Sequence, residues 1–449
     1  MPDSFVFALL LTLITGLSAV IFVNSNLLEI LDSWYKGFWE LLEFGMQITL
    51  IIVTGYSIAL SSFTDKILNK VSQRISSPLQ VYLTVIILGV LLSMISWGMV
   101  VIVAVLAREL ALRVKGINYP FLIACTYLSF TSWVTGLSSS IPLLLNTKNN
   151  FLIKEGVLNE VIPTSLTLGS NLNFIIIFIY VIIVPFIIFI LIPKSSKNKE
   201  LKDLIVNDQT NKEISIEEEA NLYRSKKNTF SDKLNHSRLL QNIIFIMGIC
   251  YLIYYFNSNG FDLNLNIMIF IFIILGLVLH QTPKRYAISM KRASNNVYGI
   301  IFQFPFYAGI MGIMLYTGLG ESFSNWIASN ATISNFPYYS YLIGGLVNFA
   351  IPSGGGEFAV IGPSIIEAAK QLAISLPPEQ MTEYIARTAL SIAYGESLTN
   401  LLQPFFLLIV LPVMGSGTRI EARDVMGYLA IPFLILFILE SLLILYMPI

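Results

Sequence analysis

Charge is scarce in this sequence: Asp, Glu, Lys and Arg make up 12% of its 449 residues, against roughly 25% in a soluble domain. With 55% hydrophobic residues beside it, that scarcity excludes water as the solvent around most of the chain. The 27 basic and 27 acidic residues cancel, so no global field of one sign points to nucleic acid or to an acidic partner. Cysteine is nearly missing. Cys125 and Cys250 both lie inside apolar runs, which offers neither a disulfide framework nor a metal-ligand spacing and leaves both as packing residues. His236 and His280 are the only histidines, too few for a zinc or di-iron centre. A basic n-region is lacking as well. Asp3 precedes the apolar stretch 4–23 and no small-residue cleavage site follows, so the stretch reads as a first membrane helix rather than a secretory signal.

What is present is length of apolar chain. A hydrocarbon core about 30 Å thick takes about 20 residues of helix to cross. Runs near 5–23, 44–62, 172–193, 239–256, 265–281, 297–320 and 425–447 meet this as single crossings. Four others do not. The runs 78–112 and 338–370 are too long for one crossing and are broken midway by glycine, serine, proline or asparagine, as expected of re-entrant hairpins that enter and leave on one face. The runs 119–147 and 385–413 each carry a polar interruption followed by Pro142 or Pro404, as expected of transmembrane helices broken halfway.

Lys and Arg accumulate in short cytoplasmic loops, so their placement orients these runs. Lys194 to Arg238 holds ten Lys/Arg and eight Asp/Glu and reads as a soluble, flexible, cytoplasmic linker. Two crossings later Lys284, Arg285, Lys291 and Arg292 return to the same side. Lys66, Lys70 and Arg74 precede the first hairpin, and Arg108, Arg113 and Lys115 follow it, so both its ends are cytoplasmic. No basic residue lies between Arg292 and Lys370, which makes the second hairpin open from outside. The N-terminus is then cytoplasmic and the C-terminus external. A crossing helix, a hairpin, a broken helix and a closing helix occur in that order at 44–193 and again at 297–447, in opposite orientation. The fold class expected is an all-α polytopic membrane protein with an inverted repeat, divided into a first membrane half 1–193, a charged cytoplasmic linker 194–238 and a second membrane half 239–449. Inverted repeats whose broken helices meet at the midplane are the layout of secondary transporters.

Non-helical backbone at membrane depth survives only where protein or a water-filled cavity satisfies it, so the breaks mark the cavity. In the second hairpin, Asn348 through Glu357 includes Ser353 and the triplet Gly354, Gly355 and Gly356, which lets backbone amides and a helix N-terminus approach a carboxylate. A tight turn without a ligand is the plainer alternative. The first hairpin tip, Ser93 to Gly98, offers two hydroxyls and one glycine; a serine-kinked helix is the alternative. Thr131 to Ser140 places six hydroxyls in ten residues, more than back-bonding to the helix requires. The second broken helix carries Glu396, Thr399 and Asn400 before Pro404. An acid at membrane depth is a functional hypothesis by default. Glu396 and Glu357 are each open to three roles: binding a proton, completing a sodium shell, or capping a helix. Two ionised acids beside an anion would repel it, so at least one is protonated, paired or turned away.

At these segments the chain resembles the short-chain fatty acid transporter family. The resemblance rests on Phe302-Gln303-Phe304-Pro305-Phe306-Tyr307-Ala308-Gly309-Ile310-Met311-Gly312-Ile313-Met314, on Asn348 with Pro352-Ser353-Gly354-Gly355-Gly356, on Leu137-Ser138-Ser139-Ser140-Ile141-Pro142, and on Thr399-Asn400-Leu401-Leu402-Gln403-Pro404-Phe405. It implies short-chain monocarboxylates as substrates, membership in the ion transporter superfamily, a homodimer, and a static scaffold with an elevator-like transport domain.

The substrate carboxylate is therefore expected on hydroxyls and amides from the four breaks, with Ser138, Ser139, Ser140, Ser353, Thr399 and Asn400 foremost and Asn348 and the glycine triplet beside them. Gln303 and Tyr307 either line the cavity or make ordinary interhelical hydrogen bonds. Trp97, Trp133 or Phe358 would support the apolar end of the substrate. Glu357 and Glu396 are the ion-coupling candidates, with a sodium site near Ser96, Gly98, Thr135 and Glu396. No cofactor is expected beyond a coupling Na+ or H+. The partners expected are a small carboxylate and the lipid bilayer of a bacterial cytoplasmic membrane, without nucleic acid. A dicarboxylate or other organic-anion carrier is the rival reading, disfavoured because no Lys or Arg lies at the four breaks. An intramembrane enzyme is remote: Gly395-Glu396-Ser397 lacks the second glycine of a nucleophile elbow and has no histidine nearby.

Overall fold

Apolar side chains face outward on several helices, and polar ones face inward. The helix Arg238–Asn259 exposes Leu239, Ile243, Ile246, Met247 and Tyr254, while its buried residues are Gln241 and Gly248. So much contiguous apolar surface would be costly against water; against lipid it is the expected outer face. In this computed structural model the described residues are all except 1–3, 65, 67–69, 71–72, 97–98, 207–213, 225–228, 295–296, 350, 404–406, 416 and 448–449. Among them the regular structure is helical, with one isolated bridge between Ile205 and Thr418.

In chain order the helices are α1 (Ser4–Val23), α2 (Leu27–Gly37), α3 (Leu42–Ala59), α4 (Pro78–Ile95), α5 (Val100–Arg113), α6 (Tyr119–Phe130), α7 (Ser140–Leu145), α8 (Asn171–Leu191, with a π turn at Ile179–Ile183), α9 (Arg238–Asn259), α10 (Leu265–His280), α11 (Pro283–Ser294), α12 (Tyr298–Tyr316), α13 (Leu319–Asn330), α14 (Phe336–Val347), α15 (Gly354–Leu372), α16 (Pro378–Thr399), α17 (Leu407–Met414) and α18 (Ala430–Tyr446). Their starts are legible in local chemistry. Ser77 and Gln80 form a capping box ahead of Pro78 at the first turn of α4, and Asn26 and Glu29 do the same for α2, satisfying amides that would otherwise lack partners.

The packing divides the helices. α1–α3 pack chiefly with α10–α13, whereas α4–α8 pack with one another and with α14 and α16–α18. α15 bridges the two groups, touching α12 and α13 on one side and α16 and α7 on the other. The α14–α16 contact is close because glycine permits it: a Cβ on Gly344 would lie 2.6 Å from the Ile392 carbonyl oxygen. Burial is greatest in the middle of this arrangement. Every residue of α6 and α7 and of the 3₁₀ turn Thr131–Thr135 between them is buried, as is α16 from Tyr384 to Leu398.

Two of the expected boundaries move. The run 297–320 is not one straight helix: α12 ends at Tyr316, and the chain bends by 70° into α13. Gly318, at φ +78°, turns that corner, since the left-handed region is open to glycine at no steric cost. The run 425–447 starts its long helix only at 430, after a short helix Ala422–Met426. The described parts of 194–238 are not loose chain. They contain short helices at Leu201–Leu204, Ile216–Leu222 and Phe230–Asn235. Glu217 and Glu219 pair with Arg285 and Arg292 of α11, Ile216 and Ala220 pack on Ile288, and Val206 N–H donates to the Gly417 carbonyl at 2.9 Å.

Candidate functional site

The helical ladder ends at Val347 and resumes at Gly354, and Asn348 in that gap is fully buried. Its amide nitrogen donates to the Glu396 carbonyl, Thr399 Oγ1 and Asn400 Oδ1, each at 2.9 Å. Gln403 Nε2 returns the link, donating to the Asn348 carbonyl at 3.2 Å and to Asn400 Oδ1 at 3.1 Å. Tyr127 of α6 closes the group from the third side, its hydroxyl donating to the carbonyls of Asn400 at 2.7 Å and Gln403 at 3.1 Å. The backbone freed where α16 unwinds is thus satisfied by side chains rather than by water, as the membrane interior demands. Ser397 Oγ donates to the Thr131 carbonyl at 2.8 Å, tying the same turn to the 3₁₀ segment of the first broken helix.

Beside this satisfied network lies an unsatisfied one. Glu396 Oε1 accepts from Asn400 Nδ2 at 3.3 Å, but its Oε2 has no partner. Neither carboxylate oxygen of the fully buried Glu357 has one, nor do Trp133 Nε1, Asn348 Oδ1, Ser139 Oγ and Ser140 Oγ. Two of these residues meet at Gly354: a Cβ there would lie 2.9 Å from Trp133 Cη2 and 3.2 Å from Glu396 Oε2. α7, which begins at Ser140, packs against both α15 and α16. A buried polar atom left unpaired costs about 1–3 kcal/mol, so seven such atoms on the residues of the breaks, with Glu396 Oε2 and the Trp133 ring meeting at Gly354, mark a place prepared for a polar guest. The donors (indole N–H and two hydroxyls) suit an anion, and the two carboxyl groups suit a cation or a proton. Among the described residues no three His, Cys, Asp or Glu side chains gather as a transition-metal site requires.

The sequence-expected residues fall into three classes. Trp133, Ser139, Ser140, Asn348, Glu357 and Glu396 carry the unpaired atoms of the breaks, Gly354 lies against two of them, and Thr399 and Asn400 bond to Asn348. Ser138 is buried in the same break. Others are engaged in local structure. Ser353 Oγ accepts from Gly356 N–H at 3.4 Å and so caps α15. Thr135 Oγ1 donates to the Ser132 carbonyl at 2.8 Å. Tyr307 donates to Gln303 Oε1 at 2.8 Å within α12, and its ring packs on Gly356; Gly355 packs on Phe44 and Ile48 of α3. Phe358 is wholly buried in α15. Of the four residues expected around sodium, Ser96 has its hydroxyl against Gly55 of α3, whereas Glu396 lies against Gly354. Trp97, Gly98 and Pro404 lie outside the described residues.

Sequence reasoning missed Tyr127, whose only signal is a polar group in an apolar run, and named Gln403 only as part of the family resemblance. It also missed Asn173, which accepts from Tyr394 at 2.9 Å and donates to the Thr135 carbonyl at 3.0 Å. A third buried acid, Glu440 of α18, went unread as well.

Comparison with known proteins agrees with this architecture. The sequence profile of the short chain fatty acid transporter family matches residues 1–447. A provisionally named short-chain fatty acid transporter of Escherichia coli (strain K12) is 35% identical over 429 residues, 95% of this chain and 92% of that protein. One of Haemophilus influenzae, with the same provisional name, is 35% identical over 433 residues with the same two coverages. Two solved structures share the fold at 12% identity. The Alcanivorax borkumensis YdaH transporter superposes with a TM-score of 0.57, covering 99% of this chain and 98% of its own. Neisseria gonorrhoeae MtrF, described within a class of antimetabolite efflux pumps, superposes with 0.56, covering 99% and 94%.

Proposed function

The chain belongs to the short chain fatty acid transporter family, and from that premise we propose that it carries short-chain fatty acids or similar small monocarboxylates across the bacterial cytoplasmic membrane, coupled to a cation. The observation that carries this reading is the set of unpaired buried polar atoms on both broken segments and at the gap between α14 and α15, with Trp133 and Glu396 meeting at Gly354. A monocarboxylate has one charge and a short apolar tail. Trp133 Nε1, Ser139, Ser140 and the amides at the start of α15 supply donors for the charge, and the Trp133 ring supplies an apolar wall for the tail. A dianion would call for cationic side chains, and the four breaks contain none.

In this reading α3–α8 and α12–α18 form an inverted repeat, and α4–α5 and α14–α15 are re-entrant hairpins. The N-terminus is cytoplasmic and the C-terminus external. Glu357 and Glu396 lie close to each other and to the guest, so an anion can enter only as their charge is neutralised, by protons or by sodium. That requirement is the physical basis of coupling. The group containing α1–α3 and α10–α13 serves as a scaffold at a homodimer interface, and the remaining helices move past it as an elevator. The test is uptake of labelled butyrate and acetoacetate into proteoliposomes with proton and sodium gradients imposed separately. Uptake driven by one gradient supports the proposal; absence of uptake under both, from protein that is folded and oriented, sinks it.

A further inference from the structure

α18 is apolar except for Glu440 and Ser441, and Glu440 is fully buried at membrane depth, where an acid costs free energy unless it does something. Its two oxygens are held by phenols from two other helices. Tyr180 of α8 donates to Oε1 at 3.0 Å, and Tyr341 of α14 donates to Oε2 at 3.2 Å. From α16, Tyr394 approaches the same carboxyl but donates to Asn173. Arg387, also of α16, gives its Nη2 to the Ile444 carbonyl at 2.8 Å, one helical turn beyond Glu440, and Tyr384 lies beside that guanidinium. Tyr338 stacks on Tyr341, and the 3₁₀ turn Asn400–Leu402 brings no titratable side chain to α18. Among the described residues no cation forms an ion pair with Glu440.

Tyr180 stands in the π turn of α8, a distortion often found where a helix does chemistry. Thr131 lies beside Tyr180, its own hydroxyl donating to the Leu128 carbonyl at 2.8 Å and so left free to accept. Thr131 opens the 3₁₀ turn that carries Trp133, and its carbonyl accepts from Ser397, the neighbour of Glu396. The chain of contacts Glu440, Tyr180, Thr131, Ser397 therefore runs from the outer carboxyl to the guest site.

We propose that Glu440 is a proton-exchanging carboxyl, a site separate from Glu396, whose protonation is transmitted to the guest site through Tyr180 and the Thr131–Thr135 turn. When ionised, it accepts from both phenols and ties α8 and α14 to α18. When it takes a proton, it becomes a donor itself, so one phenol must turn from donor to acceptor. Tyr180 has a second partner in Thr131 towards which to turn. This inference rests on the cation coupling proposed above, but its first test does not depend on transport.

That test is infrared difference spectroscopy of the full-length protein in lipid, stepping between acid and alkaline buffer at fixed sodium. The expected result is a carboxylic-acid carbonyl band that is lost in Glu440→Gln, shifted in Tyr180→Phe and retained in Glu396→Gln. A Glu440→Gln spectrum that keeps every pH-dependent carboxylic-acid band of the wild type overturns the proposal, and so does a Glu440 band that answers to sodium and not to pH. Should Glu440→Gln fail to fold, Tyr180→Phe decides alone: an unshifted band overturns the link to that phenol. In proteoliposomes, Glu440→Gln is expected to lower the number of protons carried per substrate. An unchanged ratio overturns transmission to the guest site. A wild type indifferent to the pH gradient overturns the coupling reading instead, and the band still reports whether Glu440 exchanges its proton.

Discussion

Asn348 donates its amide hydrogen to Asn400 Oδ1 at 2.9 Å, joining the gap that interrupts α14 and α15 to the turn that ends α16, 52 residues further along the chain. The same nitrogen serves the Glu396 carbonyl and Thr399 Oγ1. Removing it takes one donor from each of three buried acceptors, of which Asn400 Oδ1 keeps Gln403 and the Glu396 carbonyl keeps Thr399. Asn348→Ala is expected to destabilise the protein by about 2 kcal/mol and to lower its melting temperature in detergent. Asn400→Ala should cost less on its own. Together the two should be non-additive by about 1 kcal/mol, because they share one network; simple addition of the two losses would show that the contact carries no energy.

Gly354 has no room for a side chain. The Cβ of Gly354→Ala would press on the edge of Trp133 and on Glu396 Oε2, both ends of side chains able to shift by a few tenths of an ångström. The protein should fold, and the guest site should shrink: KM for butyrate is expected to rise about tenfold, a loss of roughly 1.4 kcal/mol, with little change in melting temperature. Gly427→Ala, where nothing lies within 4 Å, is the comparison and should transport normally. Equal KM values in the two variants would remove Gly354 from the site.

The breaks that build this site were legible because each requires residues an apolar helix would not otherwise hold. Asn348, Pro352 and three successive glycines interrupt one run, and six hydroxyls interrupt another. Individual roles were less legible. Ser353 reads as a ligand by residue type, yet its hydroxyl caps α15. The corner at Gly318 was hidden because the apolar run 297–320 ends two residues into α13, which starts at Leu319 and soon turns polar. Glu440 could not be interpreted from sequence because its partners, Tyr180 and Tyr341, are remote in the chain and only packing brings them to it.

Glu396 and Glu357 should differ from Glu440 in what their loss does. Glu396→Gln keeps the bond to Asn400 and removes the charge. It should abolish uptake driven by the coupling gradient while leaving exchange between internal and external substrate measurable. Wild-type response to both gradients in Glu396→Gln would exclude Glu396 as the coupling group and pass the role to Glu357, to be tested in the same way.

The charged segment 194–238 is anchored as well as charged. Arg292 Nε donates to Glu219 Oε2 at 3.1 Å and its Nη2 to the Ile214 carbonyl at 2.7 Å, with both charged side chains 24% exposed. Partly exposed pairs of this kind contribute roughly 0–1 kcal/mol, too little to matter for global stability but enough to hold a short helix. Arg292→Ala should therefore leave the melting temperature in place and speed limited proteolysis within 194–238 several-fold. Unchanged cleavage would mean that the packing of Ile216 and Ala220 on Ile288 suffices without the ion pair.

Helix length bears on the proposed re-entry in one case and not in the other. α14 has 12 residues and rises roughly 18 Å, short of a core about 30 Å thick, so it cannot cross alone. α4 has 18 residues and rises roughly 27 Å, close enough to cross on length alone. Only the basic residues on both sides of the pair α4–α5 argue that it turns back. Single cysteines settle this. Cys250 is exposed and must first be replaced by alanine, while Cys125 is buried. Ser76→Cys and Lys115→Cys, at exposed positions flanking α4–α5, should react only with reagent supplied from the cytoplasmic side. Ser334→Cys and Ser375→Cys, flanking α14–α15, should react only from outside. A split within the first pair would make α4–α5 a true crossing and turn every later helix over while α3 stays, so α3 and α12 would no longer open two repeats of opposite orientation.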